Sequence, residues 1–150
     1  MKTSPEALWL ENQICFPLYA VSRMVTKLYT PLLNQLDITY PQYLVLLILW
    51  KEGQKSVTEL SGSLLLETNT LTPLLKRMEK KALVQRNRST TDERRVEVSL
   101  TPKGSALQQK AVCIPQQIFD EVHAEAMSET ETLQFKATLY KLLNIFENTK

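Results

Sequence analysis

Glycine is scarce in this chain, with three in 150 residues. A phosphate-cradling loop or a nucleophile elbow concentrates several glycines in a short span, so those enzyme classes are set aside. Histidine occurs once, at His123, with no Cys/His cluster around it, so it reads as a surface residue and no metal or other cofactor is expected. The two cysteines, Cys15 and Cys113, are far apart, and the N-terminus lacks the basic, apolar and small-residue order of an export signal. Reduced thiols and a cytoplasmic location are expected, not a disulfide scaffold. Long apolar runs are also missing. Leu44 to Trp50 stops at Lys51, far short of the roughly 18 residues a membrane span needs, so no membrane partner is expected. There is no internal repeat and no low-complexity linker. With 43% hydrophobic and 23% charged residues, the chain reads as one globular domain, 1–150.

The net charge of +2 conceals an uneven distribution. Between Lys76 and Arg95 stand eight basic residues (Lys76, Arg77, Lys80, Lys81, Arg86, Arg88, Arg94 and Arg95) against three acids. That window carries +5 and leaves the remainder of the chain at −3. A confined basic patch is the electrostatic footprint of a nucleic-acid surface.

Helical periodicity dominates the rest. Ile14, Leu18, Val21, Val25, Leu28 and Leu32 recur at alternating steps of four and three, an a/d seam. Pro17 interrupts it, so the helix either starts near Phe16 or kinks there, which puts Cys15 at a discontinuity either way. A second helix is expected from Thr39-Tyr40-Pro41 to Gly53. A third opens on the capping box Ser56-Val57-Thr58-Glu59, and a fourth is capped by Thr68 or Thr70, with Pro73 near its first turn. In the fourth helix Leu71, Leu74, Leu75 and Met78 form a core stripe.

From Val84 the period changes to two: Val96, Val98 and Leu100 alternate with polar residues and pair with Val84 to Arg88 across the loop Ser89 to Arg94. Thr101-Pro102 opens one long helix with a stripe of Leu107, Ala111, Ile114 and Ile118. Ser128-Glu129-Thr130-Glu131 opens a last helix bearing Phe135, Leu139, Leu142 and Phe146. The fold class is therefore mainly α with a small β-hairpin wing: a winged helix-turn-helix over about 37–100, with N- and C-terminal dimerisation helices over about 1–36 and 101–150. A two-fold homodimer places two recognition helices about 34 Å apart, which suits a near-palindromic operator in double-stranded DNA.

On the recognition helix, Thr68, Asn69, Thr70 and Thr72 are the short polar residues that enter the major groove, where Asn reads adenine and a Thr methyl meets thymine. Lys76, Arg77 and Lys80 hold phosphates. In the wing, Arg86 and Arg88 lie on the first strand and Arg94 or Arg95 reaches the minor groove, with Asp92 orienting the Arg94 guanidinium through a bidentate ion pair.

The segments TNTLTPLLKRMEKKALVQR (68–86) and DERRVEVSLTPKG (92–104) resemble the MarR family of dimeric winged-helix regulators. LENQICFPLYAVSR (10–23), YTPLL (29–33) and ITYPQYLVLLILW (38–50) are similar to its organic-hydroperoxide-resistance branch, the OhrR regulators. The resemblance implies a DNA-binding repressor, not an enzyme, that releases its operator when a reactive cysteine, here Cys15, is oxidised by organic hydroperoxide. It further implies that the partner subunit supplies supporting tyrosines, which fall on Tyr29 and Tyr40, with Tyr19 nearby. Some members carry a resolving cysteine in the C-terminal helices. Cys113 is read either as that residue or as part of the core. The chain departs from the family at Glu67-Thr68-Asn69, where Asp-Ser-Gly is usual, and at Pro17. Two alternatives stand beside this reading: a MarR-type repressor released by a small aromatic ligand, and a thiol-dependent enzyme using Cys15. A Cys15→Ser protein still released by its natural signal would mark the first, and peroxide turnover by the protein alone the second.

Overall fold

The computed structural model describes residues 4–89, 92, 94–123 and 127–148. Two short 3-10 turns, Pro5–Leu8 and Leu10–Asn12, precede α1 (Cys15–Gln35). Then follow α2 (Tyr40–Glu52), β1 (Lys55–Ser56), α3 (Val57–Leu64), α4 (Thr68–Lys80), β2 (Val84–Arg88), β3 (Val96–Leu100), α5 (Pro102–Ala111), α6 (Ile114–His123) and α7 (Glu129–Glu147). The chain forms two compact units, Met1–Val112 and Cys113–Lys150.

The two openings left by Pro17 resolve to a helix that starts at Cys15. Pro17 is its third residue, where a missing N–H has no intrahelical bond to lose. Pro31, further along, sits inside the same helix. The N-terminus of α2 is closed by Thr39 and Gln42 in a reciprocal capping box, and that of α3 by Ser56 and Glu59. Gly53, at φ 74°, ends α2. Neither Thr68 nor Thr70 caps α4: Glu67 takes that position and Thr68 is the first helical residue. Pro73 lies in the second turn of α4 instead of the first, so the Asn69 carbonyl lacks its usual amide partner.

The hairpin forms in the expected register, with Val84 opposite Leu100 and Arg88 opposite Val96. A third strand joins it: β1 pairs with β3, giving the antiparallel order β1-β3-β2. This ties the wing to the start of α3. The core of the first unit gathers Leu33 from α1, Val45, Leu46 and Leu49 from α2, Leu60 from α3, and Leu71, Leu75 and Met78 from α4. Val84 and Val98 of the sheet complete it. The single long helix expected after Thr101 is broken. α5 ends at Ala111 and α6 begins at Ile114, because Pro115 belongs in a first turn and cannot continue α5. α7 opens on Ser128 and Glu131, as the second capping box requires. The His123 side chain and wing residues 90, 91 and 93 lie outside the described residues.

Candidate nucleic-acid interface and thiol site

The amphipathic pattern of α4 decides which of its residues can read DNA. Leu71, Leu74, Leu75 and Met78 are buried, which turns Thr68, Asn69, Lys76 and Lys80 to solvent. Thr70 and Arg77 are also exposed, while Thr72 is half-buried and donates its hydroxyl to the Thr68 carbonyl at 2.8 Å. The Thr70 hydroxyl lies 3.3 Å from Asn69 Oδ1. Between this helix, α3 and the wing is a cleft of about 210 Å³ lined by Thr58, Thr68, Thr72, Arg86, Arg94 and Arg95, among others. Five of the residues singled out in the sequence thus converge on one concave, basic surface. Arg88 is exposed at the end of β2, and Lys76, Arg77 and Lys80 continue the charge along α4.

Three wing residues have partners within the chain, and one of these, Asp92, differs from the expected ion pair. Arg86 is turned inward: its Nε and Nη2 donate to Glu79 Oε2 at 3.0 and 2.6 Å, and its backbone N–H donates to Glu79 Oε1 at 3.3 Å. The guanidinium holds the Glu79 carboxyl below the usual carboxylate range. Asp92 does not grip the Arg94 guanidinium. Its Oδ1 accepts the Arg94 backbone N–H at 3.0 Å, and its carbonyl accepts that of Arg95 at 2.9 Å. An aspartate two residues before its partner reaches the backbone more readily than the end of a long side chain, and so it shapes the loop. Arg95 reaches back to Glu59 Oε2 of α3 at 3.4 Å. Glu59 already accepts from both the backbone N–H and the hydroxyl of Ser56, bonds that lower its pKa.

The residues expected to form a thiol site lie apart in the single chain. Cys15 is exposed at the first position of α1, whose N-terminus has no side-chain cap. Tyr19 is one turn further on, exposed, and accepts a hydrogen bond from Arg23 Nη1 at 3.0 Å. Tyr29, in the C-terminal half of α1, meets Tyr40 at the start of α2, their ring centroids 4.9 Å apart. Burial raises the pKa of both phenols, and for Tyr29 the neighbouring Tyr40 adds to the shift, so both hydroxyls keep their protons as potential donors. Sequence reasoning missed Tyr43, which is 2% exposed and packs 6.0 Å from Tyr29 and 6.5 Å from Tyr40. Its position one turn beyond Tyr40 on α2 was the available signal. Cys113 is not within a helix as expected but exposed at the break between α5 and α6, where its carbonyl accepts from Gln117.

Large apolar side chains are exposed on two helices. On α1 they are Phe16, Leu18, Val21 and Met24, with Ile14 just before it. On α7 they include Leu133, Phe135, Leu142, Leu143, Ile145 and Phe146. So many exposed large apolar side chains on two helices are the kind of surface that a protein–protein contact covers. Among the described residues there is no cluster of ligands that could hold a metal ion and no helix long and apolar enough to cross a membrane.

Comparison with known proteins agrees with this geometry. Residues 27–111 match the family of SarA/Rot transcriptional regulators. The chain is 48% identical over 143 residues, 95% of each protein, to the organic hydroperoxide resistance transcriptional regulator of Bacillus subtilis. The crystal structure of AbfR of Staphylococcus epidermidis superposes with a TM-score of 0.74 at 36% identity, covering 92% of this chain and 94% of that one. A structure of reduced AbfR bound to DNA superposes with a TM-score of 0.70 at 34% identity, covering 91% and 94%.

Proposed function

This chain belongs to the SarA/Rot family of transcriptional regulators, and from that membership we propose that it is a cytoplasmic, homodimeric repressor that leaves its operator when organic hydroperoxide oxidises Cys15. The observation that carries the proposal is the exposed Cys15 thiol at the start of α1, in a chain so similar to a hydroperoxide-resistance regulator. The uncovered apolar faces of α1 and α7 support the dimer, with 1–36 and 101–150 as its dimerisation segments and 37–100 as the DNA-reading part. The basic, concave surface formed by α4 and the wing supports DNA as the ligand.

The chemistry is a two-electron oxygen transfer. The Cys15 thiolate attacks the outer oxygen of the hydroperoxide, an S–O bond forms, and the O–O bond breaks. The departing alkoxide takes a proton and leaves as an alcohol, with sulfenic acid on Cys15. Attack by a second thiol, a small cellular one or that of Cys113, then forms a disulfide and releases water. Phenol donors from the partner subunit's copies of Tyr29 and Tyr40 would favour the thiolate before oxidation, and an enlarged sulfur would no longer fit between them. The dimer interface then shifts, and the recognition helices lose their spacing.

The test is fluorescence anisotropy of DNA from upstream of the protein's own gene, with reduced protein and again after organic hydroperoxide and a small thiol. Binding that oxidation abolishes in the wild type but not in Cys15→Ser supports the proposal. Binding indifferent to peroxide overturns the thiol switch and leaves a regulator gated by another signal.

A further inference from the structure

The wing leaves the recognition helix through a three-residue elbow, residues 81–83, and the structure fixes that elbow from several sides. The Thr101 hydroxyl donates to the Ala82 carbonyl at 2.6 Å, and Thr101 N–H donates to the Leu83 carbonyl at 3.1 Å. These contacts hold the elbow backbone, yet none of them reaches the strand beyond it. That connection is made by Glu79 and Arg86, seven residues apart on opposite sides of the elbow. Glu79 is the penultimate residue of α4, Arg86 is the middle residue of β2, and both carboxylate oxygens are engaged. Two guanidinium donors on one carboxylate oxygen, with the backbone N–H of the same arginine on the other, restrict orientation as well as distance. The Arg86 side chain lines the cleft but is only 21% exposed, and its Nε and Nη2 are turned to Glu79.

We infer that Glu79 and Arg86 are a positioning pair that sets the angle of the wing against the recognition helix, and that Arg86 serves DNA recognition through Glu79 and not by touching DNA. The inference rests on the DNA-binding reading above. Glu79 cannot itself attract a phosphate, which makes it the informative residue to change. Were Arg86 a phosphate contact, removing the acid that occupies it would strengthen binding. If the pair instead aims the wing, removing the same acid weakens binding although the protein becomes more positive.

The experiment uses the full-length reduced protein and a duplex selected by the wild type from a random pool. Glu79→Gln and the charge-swapped Glu79→Arg/Arg86→Glu protein are compared with wild type by anisotropy across a salt series and by hydroxyl-radical footprinting. Glu79→Gln is expected to bind about tenfold more weakly, with a salt dependence shallower by about two phosphate equivalents. Its footprint should lose the flanking protections that belong to the wing and keep the central ones. The charge-swapped protein should recover affinity to within roughly threefold of wild type and regain the flanks, a recovery that loss of a phosphate contact would not allow. Equal or tighter binding by Glu79→Gln, or uniform fading of the whole footprint, overturns the inference. Should Glu79→Gln not fold, the charge-swapped protein decides alone: failure to restore the flanks overturns the pair. If the wild type selects no duplex, the DNA reading itself fails, and that outcome is distinct from a wild type that binds and a Glu79→Gln protein that binds equally well.

Discussion

Cys15 and Tyr29 lie on the same helix, fourteen residues apart, which at roughly 1.5 Å per residue is about 21 Å. Tyr29 is packed against Tyr40, so both phenols stand about four helical turns from the thiol. A site combining all three therefore needs two chains, Cys15 from one and the tyrosines from the other. Co-expressed heterodimers of a Cys15→Ser chain with a Tyr29→Phe/Tyr40→Phe chain should regain one complete site. Trapping of sulfenic acid on the Cys15-bearing chain should then proceed at close to the wild-type rate per intact site, and much more slowly in the Tyr29→Phe/Tyr40→Phe homodimer. Equal rates in the heterodimer and that homodimer would contradict the two-chain site.

The same tyrosines give a pH dependence with a definite sign. Burial raises both phenol pKa values above their ordinary 10.0, while in the unfolded chain they ionise near that value. Their contribution to folding is complete below pH 10 and is lost as pH rises from 10 toward the raised folded values, because the unfolded state releases its protons first. Urea midpoints followed by tryptophan fluorescence at fixed protein concentration should fall between pH 9 and 11. The fall should be shallower in Tyr29→Phe/Tyr40→Phe, and an identical slope would remove these groups from the account.

What was legible in the sequence was what local chemistry determines. The boxes at Ser56–Glu59 and Ser128–Glu131, and the alternation of Val96, Val98 and Leu100, each carry their information within a few residues, and each formed as expected. The break at Val112 and Cys113 was hidden because the apolar spacing of Leu107, Ala111, Ile114 and Ile118 continues through it, although Pro115 forbids the backbone to follow. β1 was invisible because two residues make a strand only when β3 lies alongside. At the site, residue types and placement on faces were readable. Partner choice was not: Arg86 takes Glu79 across the elbow, and Asp92 takes backbone in place of the guanidinium.

Scarcity of glycine has a structural cost at helix ends. Ala82 follows the end of α4 at φ 56°, with its N–H bonded to the Glu79 carbonyl and the Leu83 N–H to the Met78 carbonyl. This is the paired closure in which glycine is preferred, since a Cβ is unfavourable at positive φ. The Ala82 side chain is exposed and has little packing to lose. Ala82→Gly should stabilise the protein by about 0.5–1 kcal/mol in denaturant unfolding at fixed concentration, the relief of strain exceeding the added chain entropy. No gain, or a loss, would show that the turn tolerates alanine without strain.

Gly104 presents the opposite case. It is buried in the first turn of α5, where an added Cβ would collide with the Leu83 carbonyl, and its own carbonyl accepts the Trp50 indole N–H at 3.0 Å. The obstructing atom is backbone in the elbow between α4 and β2, so a side chain cannot swing aside to relieve it. Gly104→Ala should destabilise by about 1–3 kcal/mol, measured by the same unfolding, and weaken DNA binding through the displaced elbow. A variant of wild-type stability would mean that α5 moves freely against Leu83.

Arg94 stands in the wing loop with its backbone fixed by Asp92 and its side chain on the exposed, cleft-lining surface. That leaves the guanidinium available while its base is held, which is what insertion into a narrow minor groove demands. Arg95, shared with Glu59, is less available. Arg94→Ala should weaken operator binding by about 1–3 kcal/mol and relax the preference for A·T pairs at the flanks. Arg95→Ala should cost less and leave the flank preference in place. Asp92→Asn keeps an oxygen acceptor for the Arg94 N–H, so it should bind nearly as the wild type does, whereas Asp92→Ala, which removes the acceptor, should approach Arg94→Ala. Anisotropy on duplexes with A·T or G·C flanks measures all four. If Asp92→Asn is as damaging as Asp92→Ala, the aspartate acts through its charge on the guanidinium and not through the backbone bond.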